Sequence, residues 1–254
     1  MTDLRVAVVT GASSGIGRAT ACRLARDGCA VFAVGRDESA LAGVCGEIEQ
    51  AGGRARWLQA DVTGAGAPAR IVAGVVEWSG GIDVLVNAAG VLTGGATADT
   101  SDAVWDTMLD INVTAPFKLI RQASSALIAR RGAVVNVSSV AGTRAFPGLA
   151  AYCVSKAAID QLTRCAALDF APFGVRVNAV NPGVVVTNLH RRGGMDPDRY
   201  AAFVEHSRAT HPLGRTGPPE EIADLVAYLA SASAAWVTGE TIAIDGGRHL
   251  TCLR

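Results

Sequence analysis

Short β-branched runs alternate with longer, alanine-rich stretches of helical period along almost the whole chain. The apolar runs at residues 5–10, 30–34, 55–60, 82–87, 133–138, 175–180 and 241–244 read as seven strands. Helical period fills 15–27, 38–51, 67–79, a long pair within 102–130, then 151–170 and 219–231. This alternation predicts repeated β-α-β units and therefore a parallel sheet. Runs such as Val84-Leu85-Val86 leave no face for water, so helices should cover both sides, giving a doubly wound α/β fold. No linker or internal repeat interrupts the series, which predicts a single domain over 1–254. One connection, about 188–218, is too long to be a simple turn. It contains Gly193-Gly194 and an amphipathic segment over 198–209, and reads as a lid offering His190, Met195, Tyr200, Phe203 and His206 to a substrate.

Composition narrows the function. The chain has 254 residues, 23 basic and 23 acidic groups, 29 glycines, and is half apolar. Zero net charge without runs of like charge argues against a nucleic-acid binder or a protein that docks on anionic membranes. High apolar content argues against disorder. No apolar stretch reaches the length of a membrane span, and Met1 to Arg5 lead directly into a strand without the pattern of a signal peptide. A soluble, cytoplasmic protein is expected. The six cysteines (Cys22, Cys29, Cys45, Cys153, Cys165, Cys252) form no CxxC pair and read as reduced, buried hydrophobes. The four histidines lack paired spacing, so no metal is expected.

The first strand runs into Thr10-Gly11-Ala12-Ser13-Ser14-Gly15-Ile16-Gly17 and then a helix. Gly11 to Gly15 match the GxSxG turn of serine hydrolases, but that turn needs earlier strands and an upstream oxyanion loop, and only ten residues precede this one. A strand-turn-helix with glycines at these spacings fits a dinucleotide pyrophosphate, received by backbone N–H groups and the helix N-terminus. The second strand ends at Gly35-Arg36-Asp37, where an acidic side chain would select NAD(H). Gly35 stands at the tip and Arg36 can fork onto a 2′-phosphate, which favours NADP(H) over NAD(H). Asp37 reads as the N-cap of the next helix; at the ribose it would reverse the preference.

Lysine occurs only at Lys118 and Lys156, and tyrosine only at Tyr152, Tyr200 and Tyr228. Tyr152 and Lys156 share a helix face at i, i+4. An ammonium near a phenol stabilises phenolate and lowers its pKa, which would make Tyr152 a general acid or base on a carbonyl or alcohol.

With these residues placed, the chain resembles the classical short-chain dehydrogenase/reductase family over nearly its full length. The TGxxxGxG loop is Thr10 to Gly17. Asp61-Val62 stands where the family contacts adenine, and Asn87-Ala88-Ala89-Gly90 matches its Asn-Asn-Ala-Gly stretch with Ala88 in place of the second asparagine. Ser139 lies 13 residues before Tyr152, and Asn181-Pro182-Gly183 with Val185 and Thr187 resembles the nicotinamide-side loop. The resemblance implies a Rossmann-type fold with a seven-stranded parallel sheet, its dinucleotide-binding half within about 1–140. It implies a catalytic set of Asn112, Ser139, Tyr152 and Lys156, and a small alcohol or carbonyl substrate. Lys156 would also hold the nicotinamide ribose. It implies a homotetramer, or dimer, built through the long helices and the C-terminal strand region. Three readings follow: an NADP(H) enzyme of the 3-oxoacyl reductase or sugar, steroid or polyol dehydrogenase kind, an NAD-dependent alcohol dehydrogenase, or a non-catalytic cofactor sensor. Pro116 has no N–H to give the carbonyl of Asn112, which would free that carbonyl for a water linking Lys156 to solvent. Arg215 reads as structural.

Overall fold

A computed structural model of the chain describes residues 4–251. Seven parallel strands form one sheet in the order β3-β2-β1-β4-β5-β6-β7. They are β1 (Val6–Thr10), β2 (Ala30–Gly35), β3 (Ala55–Gln59), β4 (Val84–Asn87), β5 (Ala133–Val137), β6 (Arg176–Pro182) and β7 (Thr241–Ile244). The helices between them are α1 (Gly15–Arg26), α2 (Glu38–Gln50), α3 (Ala67–Ser79), α4 (Asp102–Leu109), α5 (Ala115–Arg130), α6 (Ala150–Phe170), α7 (Leu189–Arg192), α8 (Pro197–Thr210) and α9 (Pro219–Ala230).

Alternation along each strand builds two apolar layers. Ala7, Val9, Val84, Val86 and Val135 face one side, covered by α1, α2 and α9. Val6, Val8, Leu85, Val134 and Val177 face the other, covered by α3, α5 and α6. Every residue of β1, β2 and β4 is buried, as their unbroken apolar character requires.

The chain enters at β1, winds outward to β3, and returns to β4 on the other side of β1. This reversal opens a crevice beyond the carboxyl ends of β1 and β4, where open α/β sheets receive ligands. The strand tips are aligned there: Thr10 is the partner of Asn87, and Asn87 of Asn136.

The boundaries differ from the expected ones where side chains intervene. β4 begins at Val84, because the carboxylate of Asp83 accepts from the amide of Val6 (2.8 Å) in place of a strand bond. The long helical stretch divides at a π-helical turn, Asp110–Thr114, in which the amide of Ala115 donates to the carbonyl of Asp110. The missing N–H of Pro116 explains that widening. The connection after β6 holds two helices, α7 and α8, the second capped by Asp196, which accepts from Arg199 N (2.9 Å). No helix among the described residues is long and apolar enough to cross a membrane.

Candidate active site

The turn after β1 is shaped by close approach. A Cβ on Gly11, which sits at φ +67°, would lie 2.8 Å from the carbonyl oxygen of Ala88, and one on Gly17 would lie 2.3 Å from that of Gly11. Only glycine lets the loop rest on the tip of β4 and α1 rest on the loop. Thr10 locks the contact, its hydroxyl accepting from the amides of Ala88 (3.1 Å) and Ala89 (3.2 Å). At the N-cap of α1, the Ser14 side chain makes no bond to first-turn amides. Those amides lack intrahelical partners, and Gly15, Ile16 and Gly17 line a cavity of about 770 Å³. A ring of backbone donors at a helix N-terminus, backed by glycines that admit no side chain, fits a pyrophosphate.

Every residue expected around a dinucleotide lines this cavity except Asn87. The Asn87 side chain is spent inside the sheet, donating to Asn136 Oδ1 (2.8 Å), and Asn136 in turn donates to Thr163 Oγ1 of α6 (2.9 Å). Arg36 and Asp37 lie at the tip of β2, and Asp37 is the N-cap of α2, accepting from Ala40 N (3.0 Å). Asp61 closes its own turn by accepting from the hydroxyl (2.7 Å) and amide (2.9 Å) of Thr63. These bonds, helped by the charge of Arg36, hold its carboxyl below the usual range.

Ser139 and Tyr152 form another wall of the same cavity, the serine hydroxyl lying close enough to oppose the rise of the tyrosine pKa. Ser139 follows β5; Tyr152 and Lys156 stand one turn apart on α6, as their spacing predicted. Lys156 Nζ donates to the carbonyl of Val137 (2.9 Å) and lies 5.6 Å from the centroid of the Tyr152 ring. Asn112 is buried behind this wall. Its side chain accepts from Val91 N and donates to Val91 O and Ser155 Oγ, each at 3.0 Å. One expectation is corrected. Tyr152 is not lowered by its lysine: burial pushes it up to about 12, with the Ser139 hydroxyl pulling against that. Burial likewise pushes Lys156 down to about 8, opposed by the charge of Asp160. Desolvation is the largest cause of both shifts.

Several neighbours went unseen in the sequence. Asn181 donates to the carbonyl of Ser139 (3.0 Å) and to Asp160 Oδ2 (2.9 Å), tying β6 and α6 to the serine. Asp160 Oδ1 and Asn181 Oδ1 are buried without a partner, and burial raises the Asp160 carboxyl. Arg192 of α7 donates to Ser14 Oγ (3.1 Å), which brings the lid onto the glycine loop. Phe203 and Leu189 also line the cavity, whereas Met195 and His206 do not, and the buried Tyr200 hydroxyl donates to Thr187 O (3.2 Å). The side chain of His190 lies outside the described residues. His211 is buried between Val184 N and Ser207 O, and Arg215 pairs with Glu221, a structural role as expected. Cys29 and Cys45 are buried, but Cys165 is exposed, contrary to expectation; Cys252 lies outside the described residues. No group of metal-ligating side chains occurs among the described residues.

A glycine cradle for a dinucleotide and an enclosed Ser-Tyr-Lys wall, facing one cavity, define an oxidoreductase acting on CH–OH or C=O groups with NAD(P). Comparison with known proteins agrees. A family model described as enoyl-(acyl carrier protein) reductase matches residues 11–249. A 3beta-hydroxysteroid dehydrogenase of Mediterraneibacter gnavus is 37% identical, over 96% of this chain and 95% of its own. A short-chain reductase of Streptomyces niveus is 41% identical, over 96% and 93% respectively. Among solved structures, a variant of actinorhodin polyketide ketoreductase with NADPH superposes with a TM-score of 0.91 at 36% identity, covering 99% of both chains. The chain belongs to the short-chain dehydrogenase/reductase family.

Proposed function

We propose that this protein is an NADP(H)-dependent oxidoreductase that interconverts a secondary alcohol and a ketone, with Tyr152 as general acid and base. The observation that carries this reading is the placing of Ser139, Tyr152 and Lys156 on the wall of the cavity that the glycine cradle also lines. When bound there, the nicotinamide supplies or accepts the hydride.

Tyr152, with a pKa near 12, keeps its proton at neutral pH and is set to give it to a carbonyl oxygen; in the alcohol direction it takes that proton back. Ser139 Oγ, fixed by the amide of Ala141 (3.1 Å), donates to the same oxygen. Lys156 holds a proton one helical turn away and orients a ribose hydroxyl with it. Pro116 has no N–H for the Asn112 carbonyl, which would serve a water that relays protons from Lys156 to solvent. Preference for NADP(H) is supported by Asp37, whose carboxylate is engaged by α2 rather than offered to a ribose, and by Arg36 beside it. Trp105 on α4 and Phe117 on α5 are exposed for their size, which suits a homotetramer, or dimer, formed through these helices.

A panel of secondary alcohols and ketones with each nucleotide, followed by absorbance of the reduced nicotinamide, tests the activity. Tyr152→Phe is expected to cut kcat by about 10²- to 10⁴-fold while nucleotide Kd stays within a few-fold. Near-normal turnover in that variant would remove Tyr152 from the mechanism.

A further inference from the structure

One strip of chain joins the reacting wall of the cavity to the glycine cradle. At its start Asn181 donates to the carbonyl of Ser139 (3.0 Å), and at its end the Thr187 methyl would meet a Cβ on Gly15 at 3.1 Å. Between these points Pro182, Gly183, Val184 and Val185 line the cavity. A nicotinamide joined to a pyrophosphate in the cradle, with its reacting carbon near Tyr152, has to lie along this strip.

His211, the C-cap of α8, pins the strip from behind. The residue is 3% exposed and both ring nitrogens are engaged: Nδ1 lies 2.5 Å from the carbonyl of Ser207, and the amide of Val184 lies 3.1 Å from Nε2. A carbonyl can only accept and an amide N–H can only donate, so the two partners together require the neutral ring with its proton on Nδ1. Gly183 makes the approach possible, since a Cβ there would stand 2.9 Å from Nε2. A second proton would set an N–H on Nε2 against the N–H of Val184 and break the tie between the lid helix and the strip. Burial holds the imidazole below its usual 6.5, and the Ser207 bond opposes that. From the turn after β7, the charge of Arg248, which donates to the carbonyl of Thr210 (3.1 Å), adds to the lowering, and that of Asp245 opposes it. From α8, the Thr210 hydroxyl lies 3.4 Å from Nδ1.

We propose that His211 is a positioning residue for the nicotinamide: as the neutral Nδ1–H ring it fastens the end of α8 to the Val184 amide, and its protonation unfastens the lid helix from the strip on which the nicotinamide lies. This assignment rests on the oxidoreductase reading above. Acid then weakens the hold on the nicotinamide and spares the adenosine half, which lies towards Arg36 at the tip of β2, on the other side of β1 and β4 from Ser139.

Calorimetry between about pH 8 and pH 5 compares NADP+ with 2′-phospho-ADP-ribose, and NAD+ with ADP-ribose, pairs that differ by the nicotinamide alone. In the wild-type protein the affinity advantage of the nicotinamide-bearing member is expected to fall about three- to tenfold over that range. His211→Gln should keep the advantage in acid, because its side-chain carbonyl can accept from Val184 and takes up no proton, while the Ser207 carbonyl keeps the backbone amide of residue 211 (3.1 Å). His211→Phe, which has no acceptor, should show the reduced advantage at every pH. Partial misfolding lowers both members of a pair and leaves their ratio unchanged. Asp245 and the His249 ring it contacts are present in all three proteins and cancel. An advantage that does not change with pH in the wild type, or that falls equally in His211→Gln, overturns the assignment. If no nucleotide binds at pH 8, the oxidoreductase reading is what fails, and hydrogen exchange in the nucleotide-free proteins decides the fate of the tie. After correction for intrinsic rates, the Val184 amide and the last turn of α8 should exchange about three- to tenfold faster at pH 5 in the wild type than in His211→Gln; equal exchange overturns it.

Discussion

Lys156→Met is expected to stabilise the protein at neutral pH while abolishing its turnover. In the native state burial brings Lys156 from 10.5 to about 8, so the folded protein disfavours the ammonium that the unfolded chain carries freely. At about 1.4 kcal/mol per pKa unit, the charged lysine costs the native state roughly 3 kcal/mol below pH 8. Methionine fills similar volume without the charge, but leaves the Val137 carbonyl without its donor, a loss of about 1 kcal/mol. The net gain is therefore about 2 kcal/mol, or roughly 4–8 °C in Tm for a chain of this size. The sign depends on pH. Between pH 8 and 10.5 the folded wild type has already shed the proton that the unfolded chain still holds, so its stability rises with pH. The advantage of the variant should shrink over that window and end slightly negative. Tyr152, whose raised pKa makes stability fall between pH 10 and about 12, is present in both proteins and largely cancels. Scanning calorimetry of the nucleotide-free proteins at several pH values measures the difference directly. A lower Tm for the variant at neutral pH, or an offset that does not change with pH, would refute the reasoning.

Arg36→Asp should raise Kd for NADPH by at least about tenfold and leave NADH equal or improved, measured by fluorescence titration. Gly17→Ala places a methyl against the Gly11 carbonyl and should weaken both nucleotides by at least about tenfold, with a lowered Tm, since the contact is backbone and cannot turn aside. Arg192→Ala should weaken both nucleotides by the same factor, about three- to tenfold, and speed proteolytic nicking of the α7–α8 segment; unchanged nicking would mean that its bond to Ser14 does not hold the lid.

Much of this was legible because it is local. The β-α-β alternation, the pyrophosphate turn, the cap at Asp37 and the Tyr152–Lys156 face all depend on residues within a few positions of each other. Pro116 likewise announced an irregular helix, though not that it would widen into a π turn. What stayed hidden depends on distance along the chain or on enclosure. Arg144 and Arg248 meet only because β5 and β7 flank β6, a neighbourhood that no spacing encodes. The Asn181–Asp160 bond needs β6 and α6 to be packed together. The direction of the Tyr152 shift is decided by burial, which helical spacing does not report. Asn87, whose family position suggested a ligand contact, has its side chain engaged inside the sheet, since at full burial an amide must first satisfy its own neighbours.

The amide chain from Asn87 through Asn136 to Thr163 works as a ruler. A slip of β5 by one residue would move it about 3.3 Å and turn Asn136 to the opposite face. It would carry Ser139 away from Tyr152 by the same step, because Thr163 binds the tyrosine's helix to Asn136. Two neutral side-chain bonds add little to overall stability, yet they hold the spacing between Ser139 and Tyr152. Asn136→Val could therefore yield a protein that folds tightly, binds its nucleotide and turns over slowly, its error being one of alignment rather than of strength.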